Sequence, residues 1–95
     1  MDLSTRVRQA GRVAARVIDG KAVIVVIDTQ GLHTLNEVGT FVWERMRSGP
    51  HEAATLVDAV TEEFEVAPEV ASRDVVEFLE RMTTVGAVEV EEASP

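Results

Sequence analysis

The stretch His33–Gly49 reads HTLNEVGTFVWERMRSG and holds the chain's one Trp and one of its three Phe. Its first residues belong to a strand; from Asn36 onward the apolar spacing becomes helical, with Val38, Phe41, Val42 and Met46 on one stripe. Asn36 is a good N-cap, and Thr34 with Glu37 offers a competing capping-box register. Ser48-Gly49-Pro50 ends the helix with a C′ glycine followed by proline. Gly39 in the first turn costs about 1 kcal/mol relative to alanine, which is tolerable if it lets the helix approach the sheet closely. Phe41, Val42 and Trp43 span too wide an arc for one narrow contact, so this helix is expected to be covered on more than one side. The segment reads as a strand-to-helix junction that holds the preceding strand in place.

Upstream, VAARVI and KAVIVVID flank Asp19-Gly20. Two β-branched runs around Asp-Gly predict a hairpin with a type I′ turn, with strands at about 13–18 and 21–28. AVIVVI lacks polar alternation, so the second strand is expected to be central with both faces covered. After the turn cluster Asp28–Gly31, Leu32–Leu35 predicts a short third strand at the sheet edge, with a row of unpaired backbone groups. Residues 1–12 are polar and read as a flexible N-terminal segment.

Downstream, a helix over about 52–64 buries Leu56, Val57, Val60 and Phe64. Pro68 opens another, in which Ala71, Val75, Phe78, Leu79 and Met82 form the core stripe until Gly86. Ala87–Val90 alternates as a short final strand, and residues 91–95 read as a solvated tail. The order β-β-β-α-α-α-β predicts an α+β, winged-helix-like domain over 13–90, a three-stranded antiparallel sheet packed on a three-helix unit.

Ninety-five residues make one domain, and 45% hydrophobic with 27% charged residues is an ordinary globular composition. No cysteine is present, which removes disulfides, thiolate nucleophiles and Cys-based zinc sites and fits a reducing cytoplasm. No apolar run approaches membrane-span length. Net charge is −8 and unevenly spread: residues 1–21 hold five basic and two acidic side chains, residues 50–95 two basic and twelve acidic. Neutralising phosphates requires a concentrated Lys/Arg surface, so a DNA-binding winged-helix regulator is disfavoured; the third helix sets Arg73 and Arg81 against Glu69, Asp74, Glu77 and Glu80. A peptide or protein partner is the better reading, and Arg6, Arg8, Arg12, Arg16 and Lys21 are available to an acidic surface.

Catalytic signals are few. HEAAT at 51–55 has Thr55 where H-E-x-x-H needs its second imidazole, and His33 lies far from it on a predicted strand. There is no nucleophile elbow and no phosphate loop. Glu62, Glu63 and Glu65 read as a solvated face. No cofactor is expected.

One feature of the third helix exceeds its core stripe. At 100° per residue, Val76 lies about 120° from the stripe centre, beside Ser72, Leu79 and Thr83, and this flank with Glu80 could floor a groove. The alternative is an ordinary exposed valine.

Leu35-Asn36-x-x-Gly39-x-x-Val42-Trp43, Phe64, Asp74-Val75, Phe78-Leu79 and Val85-Gly86, in that order, resemble the PqqD-like family. That family includes the pyrroloquinoline quinone biosynthesis protein D and the precursor-peptide recognition elements of other ribosomal-peptide natural-product pathways. The resemblance spans roughly residues 13–90. It implies a non-catalytic domain that binds the leader segment of a precursor peptide and presents it to a maturation enzyme: a radical S-adenosylmethionine enzyme, a cyclase or a protease. The leader adds as a strand to the third strand's edge, at Gly31, Leu32, His33, Thr34 and Leu35, and lies in the groove beside the third helix, the flank of Ser72, Val76, Leu79, Glu80 and Thr83. The protein is expected to be a monomer or weak dimer. An accessory protein that binds a folded partner remains the alternative to leader capture.

Overall fold

The structure is a computed structural model and describes residues 1–91. Six strands, β1 (Arg6–Gln9), β2 (Val13–Ile18), β3 (Lys21–Val26), β4 (Gly31–Thr34), β5 (His51–Glu52) and β6 (Val88–Glu91), accompany three helices, α1 (Glu37–Arg45), α2 (Ala53–Phe64) and α3 (Pro68–Thr84). A short 3-10 turn, Met46–Ser48, follows α1.

The predicted hairpin is present. Asp19 and Gly20 take φ of 53° and 79°, the two left-handed conformations that a type I′ turn demands. It pairs Val13 with Val26 through Ile18 with Lys21, and β4 adds on the other side of β3, so the sheet runs β2-β3-β4 with β3 in the middle. Ala22, Ile24 and Val26 join Val42, Met46, Leu56, Leu79 and Met82 in one buried cluster. The expectation that both faces of β3 are covered holds for one face only. Val23 and Val25 are half-buried, because the helices and the second sheet all pack on the Ile24 side.

That second sheet, ordered β5-β1-β6, corrects the reading of residues 1–12 as a flexible segment. Arg6–Gln9 pairs antiparallel with Val88–Glu91, and Val7 is fully buried. One apolar residue among arginines carries too little periodicity to read as a strand; the pairing is decided by β6, more than 80 residues away. Arg6 and Arg8 meet Glu91 and Glu89 at 3.1 and 2.9 Å. Glu91 is therefore part of a strand instead of a solvated tail; the rest of that tail, residues 92–95, lies outside the described residues. The N-terminal segment also caps α2, whose N-cap Glu52 makes no side-chain hydrogen bond. The Ala53 and Ala54 N–H groups donate to the carbonyls of Thr5 and Leu3 at 2.8 and 2.9 Å, satisfying two of the donors a helix start leaves unpaired.

α1 is covered on several sides, as the width of its apolar arc requires. Val42 and Trp43 are buried, while Phe41 meets Phe64 edge-to-face with ring centroids 5.4 Å apart. Asn36 is the N-cap, its Oδ1 accepting from the Gly39 N–H at 2.8 Å, so the competing capping-box register is not used. α2 and α3 follow their predicted spans, and all five residues of the α3 stripe are buried. Phe64 is only partly buried.

Candidate peptide-binding site

Hydrogen-bond alternation along β4 identifies which of its backbone groups are free. The Leu35 N–H donates to the Ala22 carbonyl at 2.8 Å. In an antiparallel ladder, bonded pairs alternate with non-bonded ones, so Leu35, His33 and Gly31 face β3, opposite Ala22, Ile24 and Val26. The N–H and C=O groups of Leu32 and Thr34 point outward from the sheet edge. Two donors and two acceptors at two-residue spacing form the template for an added strand.

The register of this edge is pinned from the core side. Thr40, 8% exposed, accepts the Ala22 N–H at its hydroxyl oxygen at 2.8 Å, which finishes the β3 ladder where β4 ends. No local pattern marks Thr40 for this role, since its partner is 18 residues away across the sheet.

Beside the end of β4 lies a cleft of about 250 Å³, lined by Asn36, Val38, Gly39, Asp74, Glu77, Phe78 and Arg81. Gly39 makes it possible. A Cβ there would stand 2.9 Å from Cε1 of Phe78, so the close approach that the glycine permits is between α1 and α3, in place of the expected approach to the sheet. Just past the end of α3, Gly86 lies near Val26, which pairs with Gly31. The start of α1 and residues 74–81 of α3 thus form the cleft just past the Leu35 end of β4, and Gly86 stands near the strand's Gly31 end. Phe78 and Val38 supply apolar surface, Arg81 stacks over the Phe78 ring at 5.8 Å, and Asp74 and Glu77 form an acidic rim.

The structure brings together Gly31, Leu32, His33, Thr34 and Leu35 as the edge, with Leu35 itself buried. It does not bring the expected α3 flank to the cleft. None of Ser72, Val76, Leu79, Glu80 and Thr83 lines it. Leu79 is fully buried, Thr83 donates to the Leu79 carbonyl at 2.7 Å, and Glu80 takes the terminal amino group of Met1 at 2.9 Å. On a helical wheel, Asp74 and Arg81 stand about 140–180° from Val76 and Thr83, across the core stripe, and Glu77 stands about 100–120° from them. Periodicity located both flanks of the stripe, and only the placement of α1 distinguishes them. Of the basic N-terminal residues, Arg6, Arg8 and Arg12 are engaged by Glu91, Glu89 and Asp28, leaving Arg16 and Lys21 without an ion pair among the described residues.

Among the described residues no three potential metal-ligating side chains gather, and no helix is long and apolar enough to cross a membrane. Two solved structures share the fold. "TbiB1 in complex with the TbiA(beta) leader peptide" is 23% identical with a TM-score of 0.78, covering 93% of this chain and 99% of that one. "Lasso peptide synthetase B1 complexed with the leader peptide" is 20% identical with a TM-score of 0.75, covering 87% and 96%. No curated protein matches the sequence significantly. The sequence model described as coenzyme PQQ synthesis protein D (PqqD) matches residues 21–88, well over half of the chain and everything from β3 to the start of β6. The chain belongs to the PqqD family.

Proposed function

We propose that this protein is a non-catalytic recognition module that captures the leader segment of a ribosomally made precursor peptide and presents it to a maturation enzyme. The observation that carries the reading is the free β4 edge, with the outward backbone groups of Leu32 and Thr34 on a strand whose end leads through Asn36 into the α3 cleft. An extended peptide adds there as a fourth strand, its main chain supplying affinity. Alternate side chains enter the cleft over Phe78 and Val38, between the carboxylates of Asp74 and Glu77 and the Arg81 guanidinium, and supply specificity. The two similar solved structures are both complexes with leader peptides, which supports a peptide as the occupant. The maturation enzyme is a radical S-adenosylmethionine enzyme, a cyclase or a protease by family resemblance.

The test is a titration of labelled leader peptides, taken from short open reading frames beside the gene, against wild type, Thr34→Pro and His33→Pro. Proline at 34 removes an outward donor and leaves the β3 ladder whole, so this variant stays folded and loses at least about tenfold in affinity. Proline at 33 removes a ladder donor and lowers thermal stability as well. Unchanged binding by a folded Thr34→Pro protein would falsify strand addition at β4.

A further inference from the structure

The outer face of the β2-β3-β4 sheet is mostly apolar, and none of the described elements packs on it. Register puts Val25 between Ala14 and Leu32, and Val23 between Arg16 and Thr34, all on the side opposite buried Ile24. Ala14, Arg16, Ile18, Val23 and Val25 line one shallow depression there. Ile18 is 53% exposed and Leu32 66%. Ile27, whose N–H extends the β2-β3 ladder to the Arg12 carbonyl, is also exposed. Scattered surface apolar residues are normal, but a contiguous patch on a small domain marks an interaction surface.

We propose that this outer face docks the modifying enzyme, through an apolar patch on that enzyme bordered by carboxylates; the inference rests on the leader-binding reading above. Two observations select this occupant. The first is charge. Arg12 is neutralised by Asp28 at 2.7 Å, whereas Arg16, within the patch opposite Val23, and Lys21, opposite Ile18, make no ion pair among the described residues of a chain whose net charge is −8. A second copy laid on this face would set these cations against their equivalents, and two unpaired cations are fewer than the polybasic cluster that holds a protein on an anionic lipid surface. An apolar protein surface with an acidic rim satisfies both the patch and its cations.

The second observation is continuity. Leu32 belongs to both surfaces: its side chain is on the outer face and its backbone is on the β4 edge. Side chains of an added strand alternate, so those that do not enter the α3 cleft emerge beside Leu32 on the outer face. A protein seated there touches the domain and the bound leader together. It therefore binds the loaded form more tightly than the empty one, so that delivery is coupled to capture.

The experiment uses the full chain, the leader peptide and the purified modifying enzyme encoded at the same locus, with Ile18→Glu and Val25→Asp as variants and circular dichroism as the folding control. Ile18→Glu alters an exposed side chain and keeps the test informative if Val25→Asp is unstable. Both variants are expected to hold the leader with affinity within about twofold of wild type, yet to bind the enzyme at least roughly tenfold more weakly. Wild type binds the enzyme more tightly when loaded. Wild-type affinity for the enzyme in a folded Ile18→Glu protein would overturn the proposal, as would failure of wild type to bind the enzyme at all. Self-association in the ultracentrifuge, or co-sedimentation with phosphatidylglycerol vesicles, that Ile18→Glu abolishes would assign the face to a second copy or to lipid and overturn it equally. Loss of leader binding by Thr34→Pro is read separately, and its failure bears on the β4 edge alone.

Discussion

Gly39 decides how closely α1 and α3 can lie. Alanine at this position would gain about 1 kcal/mol of helix propensity, but its Cβ would meet the edge of the buried Phe78 ring at 2.9 Å, so one helix must shift. Valine adds two methyl groups to the same contact. Gly39→Val is expected to destabilise the domain by about 1–3 kcal/mol, some 5–15 °C in Tm for a chain of this size, and to open the cleft that Phe78 floors. Thermal denaturation checks this directly, and an unchanged Tm would refute the close-approach account. At a second residue, Thr40, one hydroxyl finishes the β3 ladder from the helix side. The N-cap at Asn36 and the glycine three residues on, in the first turn, are both legible in the local sequence. The partners were not: Phe78 is 39 positions away, and nothing in a first-turn glycine says whether a sheet or a helix will be its neighbour.

At the scale of elements, α3 presents two flanks on either side of a buried stripe. Both are partly exposed, and hydrophobic spacing cannot rank them, since a wheel reports angle to the core and not what stands next to it. The structure places the start of α1 against the flank of Asp74, Glu77 and Arg81, while Glu80 on the other side is engaged by Met1. Charge reversal should separate them. Glu77→Lys is expected to change leader affinity by about two- to fivefold and to alter its salt dependence, the size of a partly exposed charge interaction. Ser72→Lys, on the opposite flank, should leave the titration unchanged; the reverse pattern would return the peptide to the flank of Val76. The edge strand itself is legible from its length and from the turn cluster Asp28–Gly31 before it, because turn residues that bound a short run are a local signal. Which of its amides point outward follows from the ladder alone.

For the whole molecule, the N-terminal strand joins the parts. β1 lies between β5 and β6, its neighbours in chain order far apart, and the carbonyls of Leu3 and Thr5 satisfy the start of α2. Val7→Asp would bury a carboxylate at a fully buried position between two strands, a penalty of several kcal/mol against a total stability of about 5–15 kcal/mol. We expect this variant to lose cooperative thermal unfolding, measured by circular dichroism; a native-like melt would show the second sheet to be dispensable.

The amino-acid sequence by itself determined β2, β3, β4 and the three helices, the I′ turn, the N-cap of α1 and the stripe of α3. Each of these is set by interactions within a few residues, where hydrophobic period, β-branching and cap chemistry act. Tertiary structure alone decided that residues 6–9 form a strand, that the outer face of β3 stays open, and that the cleft takes the Asp74 flank. These depend on pairing and packing between segments as far apart as Arg6 and Glu91, where the free energy resides in shared burial and in backbone groups that find partners only after the chain has closed.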